Sequence, residues 1–186
     1  MPFACARPMM LPEKIGSKKA RNSVMMSMRM GSSGFGKQPT TPFERGLEAL
    51  TRRKYDDAIA FFSEAAQSGE HRAEALSKRG VCRLRLGDMS AAQIDFQAAL
   101  AIDPKCAPAL TNLGNLALEA GRFDEARARY QAAIAANPDY ALAHHNYAVL
   151  LKREGHVKES VRELRRAAKL ESGSLWEWLS GKRRRR

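Results

Sequence analysis

Cysteine is scarce and badly spaced for chemistry. Cys5, Cys82 and Cys106 are an odd number with no C-x-x-C pair among them. Neither a disulfide framework nor a thiolate zinc site is expected, and Cys82 and Cys106 read as buried, inert thiols. No apolar run approaches the roughly 20 residues that span a bilayer, so a soluble chain is expected. Histidine is equally short of partners. His144 and His145 are neighbours, which on a helix point about 100° apart and cannot face one metal. His71 and His156 have no acid or thiol at a motif spacing. A Walker-type phosphate loop is missing, and Gly34-Phe35-Gly36-Lys37 lacks the strand and helix that make a phosphate cradle. The expectation is a chain without catalysis, cofactor or metal.

Acid is missing from the ends. The net charge is +12, but residues 1–38 hold one acidic residue against seven basic, 39–172 hold eighteen against twenty, and 173–186 hold one against five. The middle is near neutral and lacks the broad positive face that phosphate binding needs. Any nucleic-acid affinity would come from the tails.

What the chain has in abundance is repetition. Gly46, Gly80 and Gly114 stand 34 residues apart. Stacking 73–106, 107–140 and 141–174 aligns Gly80, Gly114 and Ala148 at the eighth place, and Gly87, Gly121 and Gly155 at the fifteenth. Ala99, Ala133 and Ala167 share the twenty-seventh, and a degenerate earlier copy at 39–72 keeps Gly46, Ala58, Phe62 and Ala65 in register. Such a period, with small residues at fixed places, predicts helical hairpins that each need a neighbour to cover an apolar face.

The third copy shows why. Leu110, Leu113, Ala117 and Ala120 recur at three- and four-residue steps, as do Phe123, Ala126, Tyr130, Ala133 and Ile134. They predict two amphipathic helices of about three turns each. Gly121 ends the first and Asn137-Pro138 the second, as Asp103-Pro104 does one copy earlier, because proline has no N–H and pushes its predecessor out of the helical region. Gly114 and Ala126 are expected where the two helices of a hairpin touch. Phe123, Tyr130, Phe96, Tyr55 and Phe62 are expected to fill the space between successive hairpins. Thr41-Pro42-Phe43-Glu44 reads as a capping box that opens the array. Ser174-Leu175-Trp176-Glu177 repeats that pattern and predicts a short separate capping helix at 173–181. Trp176 and Trp178 would cover the last hairpin or dock a partner or membrane surface.

These residues resemble the tetratricopeptide repeat family from 39 to about 172, some seven-tenths of the chain. Leu110, Leu113, Gly114, Phe123, Ala126, Tyr130, Ala133 and Pro138 carry the pattern in the third copy. Gly80, Ala92, Phe96, Ala99 and Pro104 carry it in the second, while the fourth departs from it at Ala148, Ser160 and Ser172. The resemblance implies an all-α, right-handed superhelical solenoid of about four antiparallel hairpins, at 39–72, 73–106, 107–140 and 141–172. It also implies a concave groove, lined by the first helices, that receives an extended or helical peptide. By position the groove would hold Ser77, Lys78, Val81 and Arg85, then Thr111, Asn112, Asn115 and Glu119, then His145, Asn146, Val149 and Arg153. Asn112, Asn115 and Asn146 stand out, because an amide both donates and accepts and can grip a peptide backbone whatever its side chains.

Family members that hold the acidic C-termini of chaperones use Lys and Asn at the fifth and ninth places of one repeat. They add Asn at the sixth place of the next, then Lys and Arg at the second and sixth of the third. Counted from the first copy, this chain offers Phe43, Leu47, Lys78, Pro108 and Asn112; from the second, Ser77, Val81, Asn112, Leu142 and Asn146. Only Asn112 in the second register agrees. Without the cations a terminal carboxylate loses its charge-assisted partners, so chaperone tails are not an expected ligand.

The tails suggest an address. Residues 1–38 are basic, rich in Met and Ser and nearly without acid, which is the composition of an organellar transit peptide. The plastid type fits better than the mitochondrial, with cleavage expected between Val24 and Ser32; an ordinary disordered tail is the alternative. At the other end Lys182, Arg183, Arg184, Arg185 and Arg186 read as a nuclear import signal, an RNA or anionic contact, or a solubilising end. The combined expectation is a non-catalytic scaffold that binds a peptide segment of a partner, as an assembly factor or subunit of a plastid complex. An RNA- or ribosome-associated factor using the basic tails is the second reading, and a nuclear or cytosolic adaptor the third.

Overall fold

The computed structural model describes residues 41–67, 69 and 71–179, with side chains to residue 172. The expectations for the leader at 1–38, Cys5, the Trp176 and Trp178 side chains and the basic run at 182–186 lie outside the described residues. Among the described residues there are eight helices and no strand. They are α1 (Pro42–Thr51), α2 (Tyr55–Gln67), α3 (Arg72–Arg85), α4 (Met89–Ile102), α5 (Ala107–Glu119), α6 (Phe123–Ala136), α7 (Ala141–Arg153) and α8 (Val157–Leu179). Consecutive helices pair, and α5 also touches α3 and α7, whereas α2, α4, α6 and α8 make no comparable contacts among themselves. The array therefore curves toward its first helices.

Each hairpin turn closes in the same way. The N–H groups of Lys54, Asp88, Arg122 and His156 donate to the carbonyls of Ala49, Arg83, Ala117 and Leu151, each at 2.9 Å. The residue before each donates to the carbonyl three positions back. This double closure puts the intervening residue in the left-handed region. Gly87, Gly121 and Gly155 take φ values of 87°, 74° and 84°, and Arg53 takes 58°. At the start of the array the expected capping box forms: Glu44 N–H donates to Thr41 Oγ1 and Thr41 N–H to Glu44 Oε2, both at 3.1 Å.

The eighth place is small because a ring lies on it. A Cβ on Gly46, Gly80 or Gly114 would stand 2.5, 2.6 or 2.6 Å from a ring carbon of Phe62, Phe96 or Tyr130. All three rings are fully buried, and they share clusters with the next hairpin. Phe62 joins Ala75 and Cys82, Phe96 joins Ala109 and Leu113, and Tyr130 joins Leu150. Phe123 departs from the expectation: it is 40% exposed, because the seventeenth place opens the second helix beside the turn. In the fourth hairpin Ala148 replaces the glycine, Leu164 replaces the ring and is partly exposed, and Ser160 Oγ donates to the Ala148 carbonyl at 2.7 Å.

Polar groups also tie the hairpins. Asp95 is 1% exposed and sits between two arginines. Arg79 Nε and Nη2 donate to its two carboxylate oxygens at 3.0 and 2.6 Å, Arg83 Nη1 lies 3.0 Å from Oδ1, and Arg79 Nη1 donates to Ser63 Oγ at 2.9 Å. Asp95 thus ties α4 to α3, and Arg79 carries the tie on to α2. Buried His144 bridges α7 to α8 and to the preceding turn, with Nδ1 2.7 Å from Glu163 Oε2 and Nε2 2.9 Å from the Pro138 carbonyl.

The separate capping helix at 173–181 does not form, since α8 runs unbroken from Val157 to Leu179. The reason lies at the thirty-first and thirty-second places. In the second and third copies Asp103 and Asn137 fold back, their side chains accepting from Lys105 N–H at 2.9 Å and Asp139 N–H at 3.1 Å, and a proline follows each. In the fourth copy these places hold Glu171 and Ser172, which permit a helix.

Two outcomes follow for chemical denaturation. Gly114→Ala should lower stability by about 1–3 kcal/mol, because the added methyl collides with an immobile buried ring. Asp95→Ala should cost about 3–5 kcal/mol by leaving two partly buried guanidinium groups without their counter-charge; an unchanged urea midpoint would refute either account.

Candidate peptide-binding groove

Successive first helices leave a trough between them, deepened at two hollows. One, of about 200 Å³, is lined by Asn115, Leu118 and Glu119 of α5, Asn146, Val149 and Arg153 of α7, and Tyr130 of α6. The other, of about 400 Å³, is lined by Leu50 and Thr51 of α1, Arg53 in the turn, Tyr55 of α2, and Val81 and Arg85 of α3. The two are equivalent by repeat place: Leu50 answers to Leu118, Thr51 to Glu119, Val81 to Val149 and Arg85 to Arg153.

A polar network underlies the smaller hollow. The Tyr130 hydroxyl donates to Asn115 Oδ1 at 2.7 Å, and Asn146 Nδ2 donates to the same oxygen at 2.9 Å. Burial pushes the Tyr130 phenol well above its usual range; Glu119 adds to the shift and Arg153 opposes it. It therefore remains a donor at neutral pH. With its oxygen taken twice, the Asn115 amide is locked, and its Nδ2 has no partner among the described residues. Asn146 Oδ1 has none either. A fixed donor and a fixed acceptor on adjacent helices are left at the lining of one hollow, the complement of a peptide unit.

The structure sorts the residues expected in the groove. Val81, Arg85, Asn115, Glu119, Asn146, Val149 and Arg153 line the hollows. Lys78 is half-buried, His145 is exposed, and neither lines a hollow. Ser77 and Thr111 are not groove residues: they are 1% and 0% exposed, and Thr111 Oγ1 donates to the Ala107 carbonyl at 2.8 Å. At the fifth place Ser77 and Thr111 are closed off where α5 packs on α3 and α7, whereas His145, at the same place in the last copy, is exposed. Asn112 is half-buried and spends a donor on the Pro108 carbonyl at 2.9 Å, so it grips its own helix. Leu50, Thr51, Arg53 and Tyr55 were missed because the first copy is degenerate; Arg53 at the glycine place was the available signal.

Cys82 and Cys106 are buried and free, and burial pushes the Cys82 thiol up to about 11 and raises that of Cys106, which keeps both from acting as thiolates at neutral pH. Among the described residues no three His, Cys, Asp or Glu cluster as a metal site would require, and no helix is long and apolar enough to cross a membrane.

Comparison with known proteins agrees with the geometry. One tetratricopeptide repeat model matches residues 71–139 and a second matches 111–174. The chain belongs to the tetratricopeptide repeat family. Its fold is similar to that of MamA, with a TM-score of 0.57, 22% identity and coverage of 72% of this chain and 78% of that one. The first tetratricopeptide repeat domain of Spaghetti, solved with an HSP90 peptide bound, gives a TM-score of 0.54 at 18% identity, covering 61% of this chain and 90% of that one. YrrB, described as having an unusual peptide-binding site, gives 0.52 at 18% identity, covering 76% and 73%. No curated protein matches the chain.

Proposed function

We propose that this protein is a non-catalytic scaffold that holds an extended peptide segment of a protein partner across α5 and α7. The Asn115 and Asn146 pair carries the reading. Its amides are oriented by Tyr130 before any ligand arrives, so little side-chain entropy is lost on binding. Similar folds that hold peptides support the same use of the groove, although the chaperone-tail clamp has no counterpart here. The RNA-associated reading rests on the basic tails, which lie outside the described residues, and the near-neutral repeat region adds nothing to it.

Asn115→Asp is the sharp test. The carboxylate keeps an acceptor for Tyr130 and Asn146 but replaces the outward donor with a second acceptor. Peptides selected on the full-length protein from a random 12-residue display library should bind this variant about tenfold more weakly or worse, with helicity unchanged. Failure to select any peptide, or undiminished affinity, would sink the assignment.

We read the setting as a plastid, within which the scaffold serves assembly of a complex or is one of its subunits; the support is the composition of residues 1–38. Tagged full-length protein in a plastid-bearing cell should enter the plastid and lose a leader cut between Val24 and Ser32. A version lacking residues 1–38 should stay outside. Nuclear or cytosolic signal with an intact N-terminus would instead make the basic end the address.

A further inference from the structure

We infer that the larger hollow, at the N-terminal end of the groove, is an anion subsite that selects a carboxylate beside an apolar side chain in the bound peptide. The inference deepens the peptide-binding reading and rests on it.

Charge is the first argument. Arg53 and Arg85 both line this hollow, and neither has an acidic partner among the described residues. In the equivalent hollow two hairpins away, Arg153 shares the lining with Glu119. Thr51 stands where that glutamate would be, so the first hollow carries two cations and no acid. Two guanidinium groups at one mouth are suited to a carboxylate, which either can bind through paired N–H donors.

Backbone conformation is the second, independent argument. Arg53 holds a φ of 58°, a conformation that L side chains rarely adopt, at the place where the other three turns hold Gly87, Gly121 and Gly155. The bonds that close its turn are the same as theirs. The side chain therefore adds nothing to closure, and a strained residue that lines a hollow is the pattern of ligand clamps. The third argument is the wall. Leu50, Tyr55 and Val81 give it an apolar surface, fitting an aliphatic or aromatic neighbour of the carboxylate.

This subsite differs from the family's carboxylate clamp, whose cation places here hold Phe43, Pro108 and Asn112, or Ser77, Leu142 and Asn146. Its arginines come from the fifteenth place of one repeat and the thirteenth of the next. A step of about 8–10 Å from one first helix to the next separates the two hollows by about 16–20 Å, a span of about five or six extended residues. The selected carboxylate should stand about that far from the peptide unit held by Asn115 and Asn146.

The test uses the full-length protein and the same 12-residue library, so both basic tails are constant. Selected peptides should be enriched in Asp or Glu beside an apolar residue, or should end in a free carboxylate; amidating their C-termini distinguishes the two sources. Arg53→Gly should weaken binding of these peptides about tenfold while raising the denaturation midpoint, because the glycine relieves the left-handed turn. Arg85→Ala should weaken it similarly, and Arg53→Glu with Arg85→Glu should turn the selection toward Lys and Arg. Peptides that show no acidic preference, or an Arg53→Gly protein that binds them undiminished, would overturn the subsite. Sensitivity to Asn115→Asp in that case would leave the peptide reading standing, whereas a library that yields nothing overturns both.

Discussion

A ring laid on a glycine governs the spacing of this array. With an added Cβ on Gly46, Gly80 or Gly114 only 2.5–2.6 Å from a ring carbon, the two helices of each hairpin meet as closely as an aromatic face and bare backbone allow. The same rings reach the cluster of the next hairpin, so one contact sets both the width of a hairpin and the step to its neighbour. Interiors this dense transmit any change of volume. The fourth hairpin shows what relaxes when the pair is lost: Ala148 and Leu164 replace it, Leu164 is partly exposed, and a hydrogen bond from Ser160 takes up the tie.

The curvature that follows from this packing creates the groove. Because α5 touches α3 and α7 while the second helices do not touch one another, side chains at the ninth, twelfth and thirteenth places converge along the inner face. At the fifth place Ser77 and Thr111 are sealed between helices, while His145 in the last copy is exposed. Polar groups divide accordingly. Asp95 and its arginines are consumed by structure, whereas the Tyr130 network uses one buried hydroxyl to orient two amides and leaves their outer halves without a partner among the described residues.

Much of this was legible from spacing. The 34-residue register, the glycine turns and the Thr41 capping box are local statements, settled by backbone sterics and a few neighbouring hydrogen bonds, and each appears in the structure. Of the twelve residues expected in a groove by place, seven line the two hollows beside the first helices. What misled was treating a place as equally exposed in every copy. Thr111 and Ser77 disappear into contacts between helices that no single repeat contains, and Asn112 turns its donor to Pro108. The C-terminal error had another origin. Ser174 carries a capping signal, but a helix already running through Glu171 and Ser172 has no free N–H groups there to cap.

Alone, the sequence determined the family and the all-α hairpin repeat, because period and turn chemistry act over a few residues at a time. Tertiary structure decided which polar groups remain free. The two outward amide halves of Asn115 and Asn146 exist because Tyr130 reaches across from another helix, and Arg53 meets Arg85 at one hollow because two hairpins stack. Whether a donor is spent or available depends on what lies within about 3 Å of it, and that distance is set by packing between residues far apart in the chain.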